Sequence, residues 1–455
     1  MKMKMTIYHI IKSEFLRRLL LIVVILNGQW SMVNGQIQIG GNVYGGGNKG
    51  NVNGSATVTM RSGDVKKVFG GARQANVGGN AYVNIDGKHA SGYMVIDYVF
   101  GGNDISGTIG TAKAVGEPLP AELVGNKDGV DDTWNTYVHL SSKTDAYGNA
   151  ASDNQKVFIG QAFAGGNGDY TYTDDNDQPL KDDDGNYIVK EGDETVATSD
   201  KAFTLPDLDK TYIDVQGGTI AFAHGGGNNV TVKEKAVIRV DNPSEVVTHV
   251  FVDKSTWLED KTATKETDDV KDLLNDDRIK NDMGIKMAQE HIGSSDFQIG
   301  RFFGGNNKAD MSIMPTWHLQ SGKIRNLYSG GNKGAMTCPA GLLLEIDPEV
   351  PDDVTDYAAQ QAIKNKLIID NVYGGCRMAD VRPTMNGVYT PCKNLTVANY
   401  PDVGITKDYS FPPELSARVL VRGGDVRNVF GGNDVTGTVY GGNAVGIYTS
   451  IRGNV

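Results

Sequence analysis

The chain has 455 residues, 58 of them glycine and only 14 proline, and a formal net charge of −11. Glycine excess without proline excludes collagen and proline-rich disorder, and an apolar content of 39% is that of a folded protein. The acidic balance argues against nucleic acid as a partner, because a phosphate backbone calls for clustered Lys and Arg.

Residues 1–35 come first. A basic stretch, "MKMKMTIYHIIKSEFLRR", precedes "LLLIVVIL" from Leu19 to Leu26. Eight apolar residues are too few for a bilayer-spanning helix, which takes about 20, but suit a secretory signal peptide. "VNGQ" places cleavage before Gln36, and no cysteine stands there to carry a lipid. Losing five basic residues and one acidic residue takes the formal charge from −11 to −15. The expected product is exported, secreted or at the cell surface, and is not an integral membrane protein.

From Gln36 onward the chain repeats. In "VYGGGNKGNVNGSATVTMRSGDVKKVFGGA" and the residues after it, Tyr44 matches Phe69, Val52 matches Val77, and Ala56 matches Ala81. Val58 with Val83 and Met60 with Ile85 keep the same step of 25 residues, as do Phe303 and Tyr328. A period of that size marks a solenoid. Within it, "ATVTM", "AYVNI" and "AVIRV" alternate with the period of a strand. A turn with glycine ("RSGD", "QSGK", "RGGD") leads to a second strand ending on an aromatic residue, and "NVNG", "NVGG" or "DISG" supplies a third apolar touch. Such a coil cannot cover its own apolar face and needs neighbours on both sides. The predicted fold is all-β, a parallel β-helix (β-solenoid) of about nine coils at roughly 4.8 Å each. It occupies 36–455, with loop, hairpin and short helical insertions at about 111–156, 168–210, 242–298, 348–366 and 381–416. The acidic segment 168–210 suggests a hairpin arm. Val270, Leu273, Leu274 and Ile279 have amphipathic helix spacing, and 348–366 reads as a second helix capped by Asp or Thr.

The recurrent corner is Gly-Gly-Asn. Positive φ at the bend would explain it, since Gly and Asn tolerate the left-handed region best. Equivalent asparagines one coil apart can join their amides in a ladder. The candidates are Asn48, Asn103, Asn167, Asn228, Asn306, Asn332, Asn433 and Asn443. The preceding aromatics, Tyr44, Phe69, Phe100, Phe303, Tyr328, Tyr373, Phe430 and Tyr440, are expected to stack inside. "GGGNKG" matches a phosphate-binding G-x-G-x-x-G, but strand and turn follow it where a dinucleotide site needs a helix, so no cofactor is implied.

Catalytic and metal motifs are sparse. The seven histidines have no metal-ligand spacing, and neither a nucleophile elbow nor a Walker sequence occurs. Cys338, Cys376 and Cys392 read as small buried hydrophobes with at most one disulfide, its pairing open. No Asp or Glu recurs at the 25-residue step with an evident Lys or Arg partner. Calcium is a weak possibility at Asp182, Asp184 and Glu191, where Leu180 falls on the first ligand position; a solvated acidic hairpin is the simpler reading.

The segments "GDVKKVFGGARQANVGGNAYVNI" and "GGDVRNVFGGNDVTGTVYGGN" resemble the repeats of glycine-rich β-solenoid surface proteins of Bacteroidota, covering this chain from about Gly41 onward. The resemblance implies an adhesin-like role, often with a C-terminal sorting domain for type IX secretion. This chain departs from that pattern, running to "IRGNV" within or just after a repeat. The expected function is therefore a structural, adhesin-like β-helix presenting loops to glycans or surface proteins. The alternative is a carbohydrate-active β-helix enzyme, a polysaccharide lyase or glycoside hydrolase.

Overall fold

A computed structural model describes residues 38–90, 94–110, 135–142, 157–169, 188–191, 194–197, 206, 208–242, 298–400, 407–409, 411–412 and 414–449. The compact unit is Ile39–Val455. The leader and the helix expected near 270–279 lie outside the described residues. Strand is the main regular structure of the described residues, and the larger part of it forms a large, nearly closed parallel sheet of solenoid type.

Its first face takes one strand from each repeat. In order these are β1 (Gln38–Tyr44), β3 (Gly63–Phe69), β5 (Met94–Phe100), β7 (Val157–Phe163) and β11 (Thr219–His224). The face continues through β13 (Ile299–Phe303), the second half of β14 (Thr316–Tyr328), β16 (Leu367–Tyr373) and β20 (Asp425–Phe430). The second face stacks β2 (Ala56–Met60), β4 (Ala81–Gly87), β6 (Thr136–Ser142), β10 (Leu208–Gln216), β12 (Val232–Asp241) and the first half of β14. There it breaks. β15 (Leu342–Ile346), β19 (Ala417–Val421) and β21 (Asn443–Ile447) form a sheet of their own.

The 25-residue alignment is borne out pair by pair. Ala56 faces Ala81, Val58 faces Val83, Met60 faces Ile85, and Val52 bridges Val77 on the third side. That side is a line of single bridges, Val52–Val77–Ile109 and then Met311–Met336–Val381–Val439. Between the two faces lies one aliphatic core, filled by residues such as Val65, Ile96 and Ile159 from the first and Val83, Val138 and Ile213 from the second. Burying each such side chain contributes about 1.5–3 kcal/mol before the cost of ordering the chain.

Between these strands lie smaller elements. β8 (Ile188–Glu191) and β9 (Glu194–Ala197) form an antiparallel hairpin within the acidic segment, as do β17 (Thr384–Met385) and β18 (Val388–Tyr389) farther on. The segment 111–156, expected to be an insertion, contributes β6 to the second face; apart from Asn135, its other residues lie outside the described ones. The helix expected at 348–366 is α1 (Tyr357–Lys364), only eight residues long. It begins where Asp356 accepts a hydrogen bond from the Ala359 N–H at 2.8 Å.

The rings that end the first-face strands form one continuous stack. Tyr44, Phe69, Phe100, Phe163, His224, Phe303, Tyr328, Tyr373 and Phe430 lie ring on ring, with centroids 4.5 to 4.9 Å apart. Phe163 and His224 belong to it unexpectedly, whereas Tyr440 leaves it to pair with Tyr389 under Arg382. Nor does the stack share the aliphatic core. Val68 points into that core, so Phe69, the next residue of the strand, points to the other side; Phe69, Phe100 and Phe163 form a cluster of their own.

The asparagines divide by their distance from the ring. Those three residues after it, Asn103, Asn306 and Asn433, accept hydrogen bonds from the main-chain N–H of Ala72, Gly227 and Cys376, one layer earlier, at 2.7 to 2.8 Å. Four residues after the ring runs the amide ladder itself. Asn167 donates to Asp104, Asn228 to Asn167, Asn307 to Asn228 and Asn332 to Asn307, at 2.7 to 2.9 Å. Arg73 donates to Asn48, and Arg377 to Asn332. Asn307 therefore takes the ladder place expected of Asn306, and Asn443 lies instead in β21 opposite Ala417.

The reason for the glycines also changes. None of the glycines that follow the stacked rings has positive φ, and neither do the ladder asparagines; positive φ falls on Gly441 after Tyr440, on Gly63, Gly218, Gly322 and Gly424 where the first-face strands begin, and on Gly107, Gly168 and Gly437 past the corners. What demands glycine at Gly71, Gly226 and Gly375 is space. A Cβ there would collide with the Oδ1 of Asn103, Asn306 and Asn433 respectively. Gly-Gly-Asn is thus two layers interlocking.

Candidate functional site

Along the outer side of the second face, register brings unlike residues into rows. Val83, Val138, Ile213 and Ile238 point to the core, so their neighbours one residue along point outward. One row reads Asn84, His139, Asp214, Arg239 and His318 on β4, β6, β10, β12 and β14. Beside it lies Tyr82, Tyr137, Tyr212 and Val237, with the rings of Tyr137 and Tyr212 stacked at 4.8 Å.

Asp214 is the hub of the polar row and is fully buried. The Nδ1 of His139 lies 3.0 Å from its Oδ2, Gln216 Nε2 donates to that oxygen at 3.1 Å, and Arg239 Nη1 stands 3.7 Å from Oδ1. Arg239 also reaches Asp241 at 3.1 Å, where Ser321 donates at 2.9 Å. An ionised carboxylate only accepts, so His139 carries its proton on Nδ1 when Asp214 is charged. Asp214 and Arg239 are 25 residues apart, as are Arg61 and Asp86, which meet at 2.9 Å. Charge pairing at the repeat step, which the sequence did not bring out, is therefore present.

The row runs into a cleft of about 610 Å³ where the second face breaks. One wall is Arg239 on β12 with Thr316, Trp317, His318 and Gln320 on β14; the other is Leu343 and Glu345 on β15 with Asp347 and Glu349 beyond. Lys407 and Tyr409 close one side. No main-chain ladder joins β14 to β15 in the described sheets, but a side chain of β14 reaches the segment that follows β15. Gln320 donates to the Glu349 carbonyl at 2.7 Å and accepts from the Glu349 N–H at 2.8 Å, imitating a strand pair. Trp317 packs edge-on against Phe302, at the margin of the core.

Glu345 is the best-held carboxylate of the cleft. Arg422 and Lys407 donate to Oε1 at 2.8 and 3.1 Å, and Tyr409 donates to Oε2 at 2.7 Å. Burial alone would raise its pKa, but these donors outweigh burial and hold it below the ordinary glutamate value. The phenol of Tyr409 is raised by its own burial and by the carboxylate it serves. Asp347 is engaged by Lys364 at 2.6 Å. The cleft thus offers ring surface and fixed polar groups, while the donors around Glu345 leave that carboxylate poorly placed to give up a proton.

Comparison of the chain with protein-family models, curated proteins and solved structures found no match.

The remaining sequence candidates are soon placed. Asp182 and Asp184 lie outside the described residues, and Glu191 ends β8 opposite Glu194. No cluster of metal-ligating side chains occurs among the described residues. Cys338, Cys376 and Cys392 are buried free thiols; burial pushes the first two up to about 12, which makes them poor nucleophiles. Among the described residues no helix is long and apolar enough to cross a membrane.

Proposed function

We propose that this is an exported or cell-surface, adhesin-like β-helix of about nine coils that binds glycans, with the cleft between β14 and β15 as its site. The observation that carries this reading is the composition of the cleft. Tyr409 provides ring surface for the apolar side of a sugar, with Trp317 at the inner margin of the cleft, while Arg239, His318 and Glu345 provide hydrogen-bonding groups around it. The glycine-rich corners are scaffold, and recognition belongs to the broken face.

A glycan array probed with the full chain, with and without calcium, tests the proposal. Binding is expected and should be lost in Tyr409→Ala, whose ring lies at the cleft's edge. Binding to no glycan, or undiminished binding by the variant, would overturn it. The convergence of His139, Asp214 and Arg239 on the same face favours a second reading, a carbohydrate-active enzyme. Incubation with acidic and neutral polysaccharides, followed by measurement of new reducing ends and unsaturated products, separates the two. Turnover abolished by His139→Ala would favour the enzyme.

A further inference from the structure

Two segments of this chain have nearly the same sequence and opposite surroundings. Phe100–Ile109 reads "FGGNDISGTI" and Phe430–Val439 reads "FGGNDVTGTV". Phe100 is 1% exposed and Ile105 0%, whereas Phe430 is 43% exposed and Val435 53%. The first segment is covered by the layer at Phe163. That ring stacks on Phe100 at 4.8 Å, Asn167 N–H donates to the Asn103 carbonyl at 2.9 Å, and Gly168 N–H to the Asp104 carbonyl at 2.8 Å. The amide of Asn167 completes the joint on Asp104 at 2.9 Å. Among the described residues no further layer covers Asn433 and Asp434.

The opposite edge carries the residues such a layer needs. Three residues after each ring the chain places Gly47, Ala72, Asn103, then Gly166, Gly227, Asn306, then Gly331, Cys376, Asn433. Inside the structure each such Asn is therefore followed by Gly in the next layer. Four residues after the ring, the first and last triplets agree as well: Asn48, Arg73, Asp104 and Asn332, Arg377, Asp434. Even their tyrosine bonds correspond, Tyr44 to Asp104 and Tyr328 to Asp434, both at 2.7 Å. A layer bearing Tyr44, Gly47 and Asn48, set on Phe430, Asn433 and Asp434, would reproduce the interior joint group for group. The Asn48 amide would donate to Asp434 as Asn167 does to Asp104.

We propose that the edge at Phe430, Asp434 and Val435 docks the Tyr44 edge of a second copy of this chain, head to tail. Such a contact is heterologous and does not close, so it propagates. It rests on removal of residues 1–35, which leaves β1 starting two residues after the new N-terminus, and it is independent of the glycan reading.

The test uses the full chain, produced with its leader and collected after export. Sedimentation velocity should show oligomers that lengthen with concentration. Asn48→Cys chains mixed with Asp434→Cys chains should cross-link to each other under mild oxidation, and neither to itself. Val435→Lys changes an exposed side chain, so it should give monomers with an unchanged melting temperature and unchanged glycan binding. A monomer at every concentration, oligomers that persist in Val435→Lys, or Asp434→Cys cross-linking only to itself would each overturn the proposal.

Discussion

The two sheet faces of this molecule are made by the same repeats and have different fates. The first continues unbroken from β1 to β20, and the second breaks between β14 and β15. The difference lies in what registers each face. Every strand of the first from β1 to β20 ends on a ring of the stack, and the corner beyond it interlocks through glycine and asparagine. The second has Tyr82, Tyr137 and Tyr212 in one row, but beyond them that row passes to Val237 and Thr316. Where registration stops, strands can part and a cleft can open. The stack and the interlock lie on the first face, and the site we propose for recognition lies on the second.

That contrast can be tested by substitution, starting with the stack. Phe163→Ala should cost about 3–5 kcal/mol of unfolding free energy, because the ring is fully buried between two others. Tyr409→Ala at the cleft should cost far less and reduce binding instead. Denaturant titration of both variants makes the comparison, and equal losses would erase the proposed division. Next comes the interlock. Asn306→Ala strips the Gly227 N–H of its acceptor inside the protein and should cost about 1–3 kcal/mol. Gln320→Ala removes only the pair of bonds from β14 to Glu349 beyond β15, a loss of about 1 kcal/mol. Its signature is local: faster hydrogen exchange at Glu349 and weaker glycan binding, with the first face unaffected.

The smallest effect at neutral pH belongs to His224→Phe. Burial between Phe163 and Phe303 lowers the His224 pKa from 6.5 to about 3, although the Gly305 main chain pulls the other way. Below pH 6.5 the unfolded chain therefore binds a proton that the folded chain refuses. The contribution of the neutral ring is complete above that pH and is lost as pH falls toward about 3. The wild type should weaken across that window more than His224→Phe, as melting temperatures measured from pH 8 to pH 4 would show. Parallel curves would mean that the ring takes up its proton while folded.

Much of the first face was legible because a solenoid turns sequence period into spatial contact. The step from Tyr44 to Phe69, or from Phe303 to Tyr328, is a contact read directly. The role of each asparagine was harder to see, since Asn306 and Asn307 are adjacent in the chain but belong to different bond systems. Counting from the ring, three residues or four, is the signal that separates them. Interrupted periods hid more. His139 reaches Asp214 across 75 residues, a separation that no local pattern announces. The cleft was invisible for a deeper reason: it exists where the second face stops pairing, and Trp317 and Glu345 stand where neighbouring strands have Ile238 and Leu420, so neither residue type recurs.

The direction of the stack has a mechanical consequence. Its hydrogen bonds and ring contacts point from one layer to the next, while the strands run across that direction. A force pulling successive layers apart therefore loads all the bonds of a joint at once and cannot undo them one by one. A tether attached at either end of the stack would meet a stiff, brittle resistance, whereas a force peeling a strand sideways from an edge would meet little.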